Sequence, residues 1–252
     1  MKRLYRFMAI IAWIFLIVIV FVAFGNRKIL VKPAADKNFK TEVLVFTGNN
    51  QNISVLDTSV TKVYSIDRNK SELIVRLYKE GFFSGFAHNH IVMAREFSGA
   101  VEFDEFDPTR FKISVEVPTN SIASDLPKIR RKYGMEELSH KNWIEINKTM
   151  RSSSQLDIEK YPLVSFISDS LRIIEGERFE ITGEFSLHGV TKLIVVPVTI
   201  SVENGILKLQ GGFSFLQSDY NIKPFSGALG TVRNKDEALL KFNISGLEKV
   251  EQ

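Results

Sequence analysis

Two histidines separated by a single residue, His88 and His90, have the spacing in this chain that best fits metal chemistry. On a β-strand both side chains would point to one face, which suits two ligands of one metal ion. A third ligand would have to come from His140, His188 or a carboxylate. The alternative is that the pair forms hydrogen bonds in a polar loop or barrel mouth. We therefore predict no metal site and keep His88 and His90 as the candidates if one exists.

The other reactive side chains do not form a catalytic set. The carboxylates at 104–107 lie directly before Pro108, a pattern typical of a turn. Ser186 and His188 share one face of a predicted strand, but nothing marks either as activated, and His188 is interpreted as a turn residue. The chain contains no cysteine, which excludes thiol nucleophiles, thiolate metal sites and disulfides. These patterns predict a binding protein and not an enzyme.

Alternating apolar and polar residues dominate the chain from Tyr64 onward. The clearest runs are residues 111–117 and 179–187. Such alternation is typical of antiparallel strands with one covered face, and many of them joined by short turns predict a sandwich or a closed barrel. Gly99 and Gly183, inside strands, favour the bends of a small closed barrel, although tolerated glycines in an open sheet are an equal alternative.

Residues 126–151 interrupt this alternation and are rich in Lys, Glu and Leu. They predict one or two short helices with a break at Gly134, placed over one mouth or flank of the sheet. The apolar side chains that would form their buried stripe are Met135, Leu138, Trp143, Ile146 and Met150.

The start of the chain predicts export. Basic residues precede an apolar run at 7–24, and about 18 apolar residues are near the minimum for a membrane-spanning helix. We predict an uncleaved signal anchor, with a cleaved signal peptide as the alternative. The protein would then be a single-pass inner-membrane protein whose domain lies in the periplasm or outside the cell.

Three regions follow from this organisation. Residues 1–28 are predicted as a cytoplasmic tip and transmembrane anchor, 29–60 as a linker with a possible extra strand at 43–46, and 61–252 as the folded domain. The net charge of +4 comes from the basic residues of 1–28, so it gives no reason to expect a nucleic-acid partner.

Two strings of residues carry a resemblance to a known family. The first is Lys-Tyr-Pro at 160–162 with Phe166 and Ser168, and the second is Gly-x-Phe-x-Leu-His-Gly-Val-Thr-Lys at 183–192. Together they resemble the YceI-like family of exported bacterial proteins. Residues 64–67, 97–104 and 213–220 are also similar, so the resemblance spans 64–246. A departure is Gln217, near a position where the family usually has arginine.

The resemblance implies a lipocalin-like antiparallel barrel that holds polyisoprenoid or similar lipid chains. We therefore predict an all-β lipocalin-like barrel with a short helical insertion, preceded by one transmembrane helix. Its partners would be the membrane and an apolar lipid, an isoprenoid or quinone-like molecule, with no other cofactor. The alternatives are a metal protein or enzyme using His88 and His90, and an envelope interaction module. The predicted ligand-binding residues are Phe82, Phe83, Phe86, Val101, Phe103, Val115, Phe166, Phe185 and Phe242.

Overall fold

The structure is a computed structural model that describes residues 28–32, 42–46, 54–56, 61–81, 88–227 and 231–249. The predicted membrane segment at 7–24 and the predicted ligand-binding residues Phe82, Phe83 and Phe86 lie outside these ranges. No helix within the described ranges has both the length and the apolar character needed to cross a membrane.

The chain divides into two units, residues 1–60 with 105–107, and residues 61–104 with 108–252. In the first unit, strands β1 (Lys28–Lys32), β2 (Glu42–Phe46) and β3 (Ser54–Leu56) form an antiparallel sheet in the order β1-β2-β3. The extra strand predicted at 43–46 is therefore confirmed as β2, and the segment predicted as a linker carries three strands.

In its described residues, the second unit contains twelve strands and two α-helices. The strands are β4 (Lys62–Ile66), β5 (Glu72–Glu80), β6 (His90–Ala94), β7 (Ser98–Phe103), β8 (Lys112–Pro118), β9 (Ile122–Ser124), β10 (Leu163–Glu175), β11 (Arg178–Leu187), β12 (Val190–Glu203), β13 (Ile206–Leu216), β14 (Ser226–Gly227) and β15 (Val232–Glu248). The helices are α1 (Pro127–Lys132) and α2 (His140–Arg151).

Eight strands close into an antiparallel barrel in the order β4-β7-β8-β10-β11-β12-β13-β15. The strand that closes the ring is β15, because it pairs with β13 along one edge and with β4 and β5 along the other. Strands β6 and β9 extend the wall from β5. The predicted all-β antiparallel barrel with a short helical insertion is confirmed.

The alternation read from the sequence matches the two faces of the wall. In β11, Phe179, Ile181, Phe185 and Leu187 are buried, whereas Glu184 is exposed. Strand β8 shows the same pattern. Because side chains alternate across a strand, the apolar set of each strand faces the barrel interior and forms the main core.

The helical insertion covers the outside of the wall. Ile129 of α1 packs with Ile74 of β5 and Ile91 of β6 in a second, smaller apolar cluster. Gly134 has a φ of 65° and separates α1 from α2, as predicted. The position of α1 confirms the predicted place of the helices on a flank of the barrel.

The interior of the barrel differs between its two ends. At the end where β4, β8, β11 and β13 begin, the side chains are densely packed, and we call this the packed end. Phe103 meets Phe111 and Phe179 there in edge-to-face contacts, with ring centroids 6.3 and 6.5 Å apart. Tyr64 and Leu207, at the same end, are fully buried.

The first and last strands of the barrel unit meet at this packed end. Lys62, the first residue of β4, pairs with Phe103 in the sheet, and Glu248 at the end of β15 pairs with Tyr64. The side chains of Lys62 and Glu248 form an ion pair 3.1 Å long. The opposite end of the barrel, where β8, β11 and β13 finish, is the hollow end.

Gly183 provides a test of how tightly the wall is bent. A Cβ atom at this position would lie 2.5 Å from the carbonyl oxygen of Ile167 and 2.6 Å from the Phe166 ring. We expect Gly183→Ala to lower the free energy of unfolding by about 1–3 kcal/mol in urea denaturation, because the backbone of β10 would have to move.

The matched control is Gly227→Ala. A Cβ at Gly227 meets nothing closer than 3.5 Å, so this change should leave stability unchanged or raise it slightly. Equal stabilities of the Gly183 variant and the unsubstituted protein would contradict a close strand approach at Gly183.

Candidate ligand cavity

The hollow end of the barrel contains a cavity with a volume of about 200 Å³. Among the described residues, no charged side chain lines it, and its walls come from the inward faces of at least seven strands. The wall residues include Leu73, Val75, Leu77, Val92, Val115, Val117, Val164, Phe166, Phe185, Phe213, Phe215, Leu240 and Phe242.

Aromatic rings stiffen one side of this cavity. Phe185 meets Phe213, Phe215 and Tyr220 with ring centroids 5.3, 5.8 and 5.4 Å apart, all in edge-to-face geometry. Such pairs gain free energy beyond simple burial and fix the ring orientations. The cavity therefore has a defined shape on this side before any ligand enters.

Four of the predicted ligand-binding residues lie on the cavity wall, namely Val115, Phe166, Phe185 and Phe242. Val101 and Phe103 also face the interior, but the structure places them in the packed end, away from the cavity. Alternation identifies which residues point inward, but it does not tell which end of the barrel is filled.

Several lining residues come from connections and were not predicted from the sequence. Met150 ends the apolar stripe of α2, Leu156 follows it in a turn, and Ile222 follows the short 3₁₀ helix Gln217–Tyr220. Gln155 and Gln217 add the polar side chains of this group. No periodic pattern marks residues in such connections, and Gln217 stood out only as a departure from the family.

The turn between β11 and β12 contacts two neighbouring segments at the hollow end, through Tyr161 and Tyr220. His188 and Gly189 have φ angles of 51° and 75°, so they make the tight turn that the sequence predicted. His188 Nδ1 lies 3.0 Å from the carbonyl oxygen of Tyr220, and its ring lies 4.2 Å from that of Tyr161. A Cβ on Gly189 would lie 2.5 Å from the Tyr161 ring. These contacts give His188 a structural role.

An ion pair also joins β12 to the short 3₁₀ helix Gln217–Tyr220. Lys192 Nζ lies 2.8 Å from Asp219 Oδ1 and 5.8 Å from the centre of the Tyr220 ring. Burial, followed by the nearby Asp219 carboxylate, raises the pKa of the Tyr220 hydroxyl. Tyr220 therefore stays protonated at neutral pH and acts as a packing residue.

His90, the first residue of β6, is held by a buried carboxylate that also binds Arg130 of α1. His90 Nδ1 and Arg130 Nη1 each lie 2.6 Å from an oxygen of Asp125, and Ser124 donates to the same carboxylate at 2.8 Å. The Asp125 side chain is fully buried. Burial alone would raise the pKa of Asp125, but the bonds and charges of His90, Ser124 and Arg130 outweigh it and lower the pKa.

This arrangement explains the His-x-His spacing without a metal ion. His90 uses one ring nitrogen on Asp125, while His88 is exposed in the segment before β6. In the part of the chain that the structure describes, no three His, Asp or Glu side chains are grouped so as to hold a metal ion. The metal and enzyme alternatives therefore gain no support from the geometry.

Comparison with known proteins identifies relatives of this fold. A family model described as the YceI-like domain matches residues 47–245. Protein YceI of Salmonella arizonae and that of Salmonella newport are each 32% identical over 109 residues, which cover 43% of this chain and 46% of the relative. The match thus spans about half the length of these curated relatives.

A solved structure is similar over a larger part of the chain. The crystal structure of Burkholderia cenocepacia BcnA covers 71% of this chain and 98% of its own, with 18% identity and a TM-score of 0.55. At this identity the similarity concerns the fold alone.

The carboxylate of Asp125 provides a test of its network with His90 and Arg130. We expect Asp125→Asn to lower the free energy of unfolding by about 3 kcal/mol at pH 7, because Arg130 would keep a buried charge without its partner. Since the pKa of Asp125 is depressed in the folded state, its contribution is present above about pH 4 and is lost as the pH falls further. Urea denaturation from pH 7 to pH 3 should show the two proteins converging in stability.

The control is Glu137→Gln, which removes an exposed ion pair with Arg131. Exposed pairs contribute about 0–1 kcal/mol, so this variant should differ little from the unsubstituted protein at any pH. A similarly small effect for Asp125→Asn would show that the network of His90, Asp125 and Arg130 does not hold the helical insertion against the strands.

Proposed function

This chain belongs to the YceI-like family, and from that premise we propose that its barrel binds a long apolar lipid of the polyisoprenoid type in the hollow end. The observation that carries the proposal is the cavity itself, whose walls come mainly from strands and which is lined, among the described residues, by no charged side chain. An apolar cavity suits a ligand whose affinity comes mainly from leaving water.

The mechanism is sequestration, with no bond made or broken. Each methylene group that leaves water contributes about 0.8 kcal/mol, so several isoprene units supply enough free energy for stable binding. Phe166, Phe185 and Phe242 present ring faces and edges to the chain, and Val115 shapes the wall between them. The ring contacts of Phe185 limit the entropy that this side of the wall loses when a lipid enters.

The connections at the hollow end are the elements that an entering lipid would pass. Met150, Leu156 and Ile222 line the cavity from outside the strands of the barrel wall. Phe82, Phe83 and Phe86 fall between β5 and β6 in the sequence, outside the described residues, and their role at a mouth stays a prediction.

We further propose that the barrel is exported and anchored in the inner membrane. The support for this is the apolar run at 7–24, with basic residues before it and Arg27 and Lys28 after it. A carrier of this kind would hold its lipid close to the membrane that supplies it.

Filling the cavity should abolish binding. We expect Leu73→Trp to weaken binding of geranylgeraniol by about tenfold or more, because the larger side chain occupies space that the lipid needs. Displacement of a fluorescent apolar probe measures the affinity, and mass spectrometry of lipids extracted from the purified full chain identifies a natural ligand.

Val195→Trp is the matched control, because Val195 is 55% exposed on the outer face of β12. It should bind geranylgeraniol as the unsubstituted protein does. Failure of the unsubstituted protein to bind any apolar chain, together with extracts free of lipid, would contradict the proposed function.

The anchor has a separate test. We expect the full chain, expressed in a bacterium, to remain in the membrane pellet after extraction at alkaline pH, because a spanning helix is not released by disrupting charge contacts. Replacing two central apolar residues of the run, Ile17 and Val18, with arginine should release the protein or block its export. Protease added to the periplasmic side should digest only the unsubstituted barrel, and a barrel protected from it would contradict the proposed location.

A further inference from the structure

Two glutamine side chains stand out in a cavity whose other walls are almost entirely apolar. Gln217, at the start of the 3₁₀ helix, is only 6% exposed, and Gln155 lies in the turn that follows α2. Neither is needed to complete a strand. A polar group placed on an apolar cavity wall costs free energy unless it forms a hydrogen bond, so these two side chains need an explanation.

The two glutamines lie at the same end of the cavity. Gln155 Nε2 donates to the carbonyl oxygen of Lys223 at 2.9 Å. The preceding residue, Ile222, donates its backbone N–H to the carbonyl oxygen of Gln217 at 3.1 Å. One short stretch of backbone therefore connects both side chains at the hollow end.

The hydrogen bonds fix which way each side-chain amide points. Gln217 Nε2 donates to the carbonyl oxygens of Lys235 at 2.8 Å and Asp236 at 3.4 Å. Gln155 Nε2 donates to the carbonyl oxygens of Ser154 at 2.7 Å and Lys223 at 2.9 Å. A carbonyl oxygen can only accept, so the amide nitrogen and not the oxygen must face each of these partners.

This arrangement leaves two acceptors for a ligand. With both Nε2 groups committed to the backbone, the Oε1 atoms of Gln155 and Gln217 have no donor among the described residues. A ligand head that donates a hydrogen bond would satisfy one of them. A head that can only accept would place its acceptor atom beside the Oε1 atoms of the glutamines, and none of these acceptors would gain a hydrogen bond.

The charge of the cavity limits the head group in a second way. No described cation lines the cavity, and Lys223 and Lys235, whose backbone carbonyls accept from the two glutamines, have exposed side chains. Asp236 already accepts bonds from the backbone and hydroxyl of Ser218. An ionised carboxylate or phosphate drawn into this cavity would lose its hydration without gaining a counter-charge.

We propose that the cavity selects apolar chains that end in a neutral hydrogen-bond donor, a hydroxyl or an amide N–H. Gln217 and Gln155 are the residues that determine this specificity, through their Oε1 atoms. The inference rests on the proposed function and narrows it, because it excludes ionised lipids and disfavours heads that only accept.

The test compares three ligands that share one chain. Geranylgeraniol carries a donor, its methyl ether carries only an acceptor, and geranylgeranyl phosphate is ionised. Displacement of a fluorescent apolar probe from the full chain gives the three affinities. We expect the alcohol to bind about three- to tenfold more tightly than the ether, the ratio expected of one hydrogen bond, and the phosphate to bind most weakly.

Two variants assign the preference to the glutamines. In Gln217→Leu and in Gln155→Leu, the ether should bind as before while the affinity for the alcohol falls towards that for the ether. Gln210→Leu is the control, because Gln210 is exposed on the outer face of β13, and it should keep the full preference. Gln155 lies in a turn, so its variant tests the inference even if Gln217→Leu does not fold.

The outcomes separate the two proposals. Binding of the ether or the phosphate as tight as that of the alcohol would overturn the inference and leave lipid binding intact. A preference for the alcohol that survives in the double variant Gln155→Leu/Gln217→Leu would also overturn it, because the acceptor would then lie elsewhere. If none of the three chains binds, the proposed function itself fails.

Discussion

The structure depends on the closure of the barrel by β15. This strand donates and accepts hydrogen bonds along both edges, with β13 on one side and with β5 and β4 on the other. Because the ring is closed, each of its eight strands pairs with a neighbour on both sides, and the ring itself has no free edge. The wall can then hold its shape without being completely filled, which is the condition for an apolar cavity in a stable domain.

Closure also allows the two ends to differ. The aromatic contacts around Phe103 fill one end, and the cavity occupies the other. A polar network joins His90 of β6 to Arg130 of α1 through the buried carboxylate of Asp125, and none of these three side chains lines the cavity. The packed end is filled by side chains, the hollow end contains the cavity, and the Asp125 network connects the helical insertion to the strands.

The alternation of apolar residues predicted the strands well, because a period of two directly reflects which face of a strand is buried. It could not distinguish Phe103 from Phe185, since both point inward and only the three-dimensional packing decides which one meets a cavity. The partner of His90 is Asp125, 35 residues further along the chain, and the pairing of β6 with β9 brings the two together. Gln155 and Gln217 belong to connections, where no period exists. The buried face of a strand can thus be predicted from its local sequence, whereas the polar groups of the cavity depend on contacts between distant segments.

The positions of β4 and β15 determine at which end of the barrel the neighbouring segments of the chain are attached. The first and last strands of the unit meet at the packed end, where Lys62 and Glu248 form their ion pair. A segment that continues from either strand therefore joins the barrel at the packed end and not at the end that contains the cavity. Changing the length or the sequence of such a segment alters none of the strands that form the cavity wall.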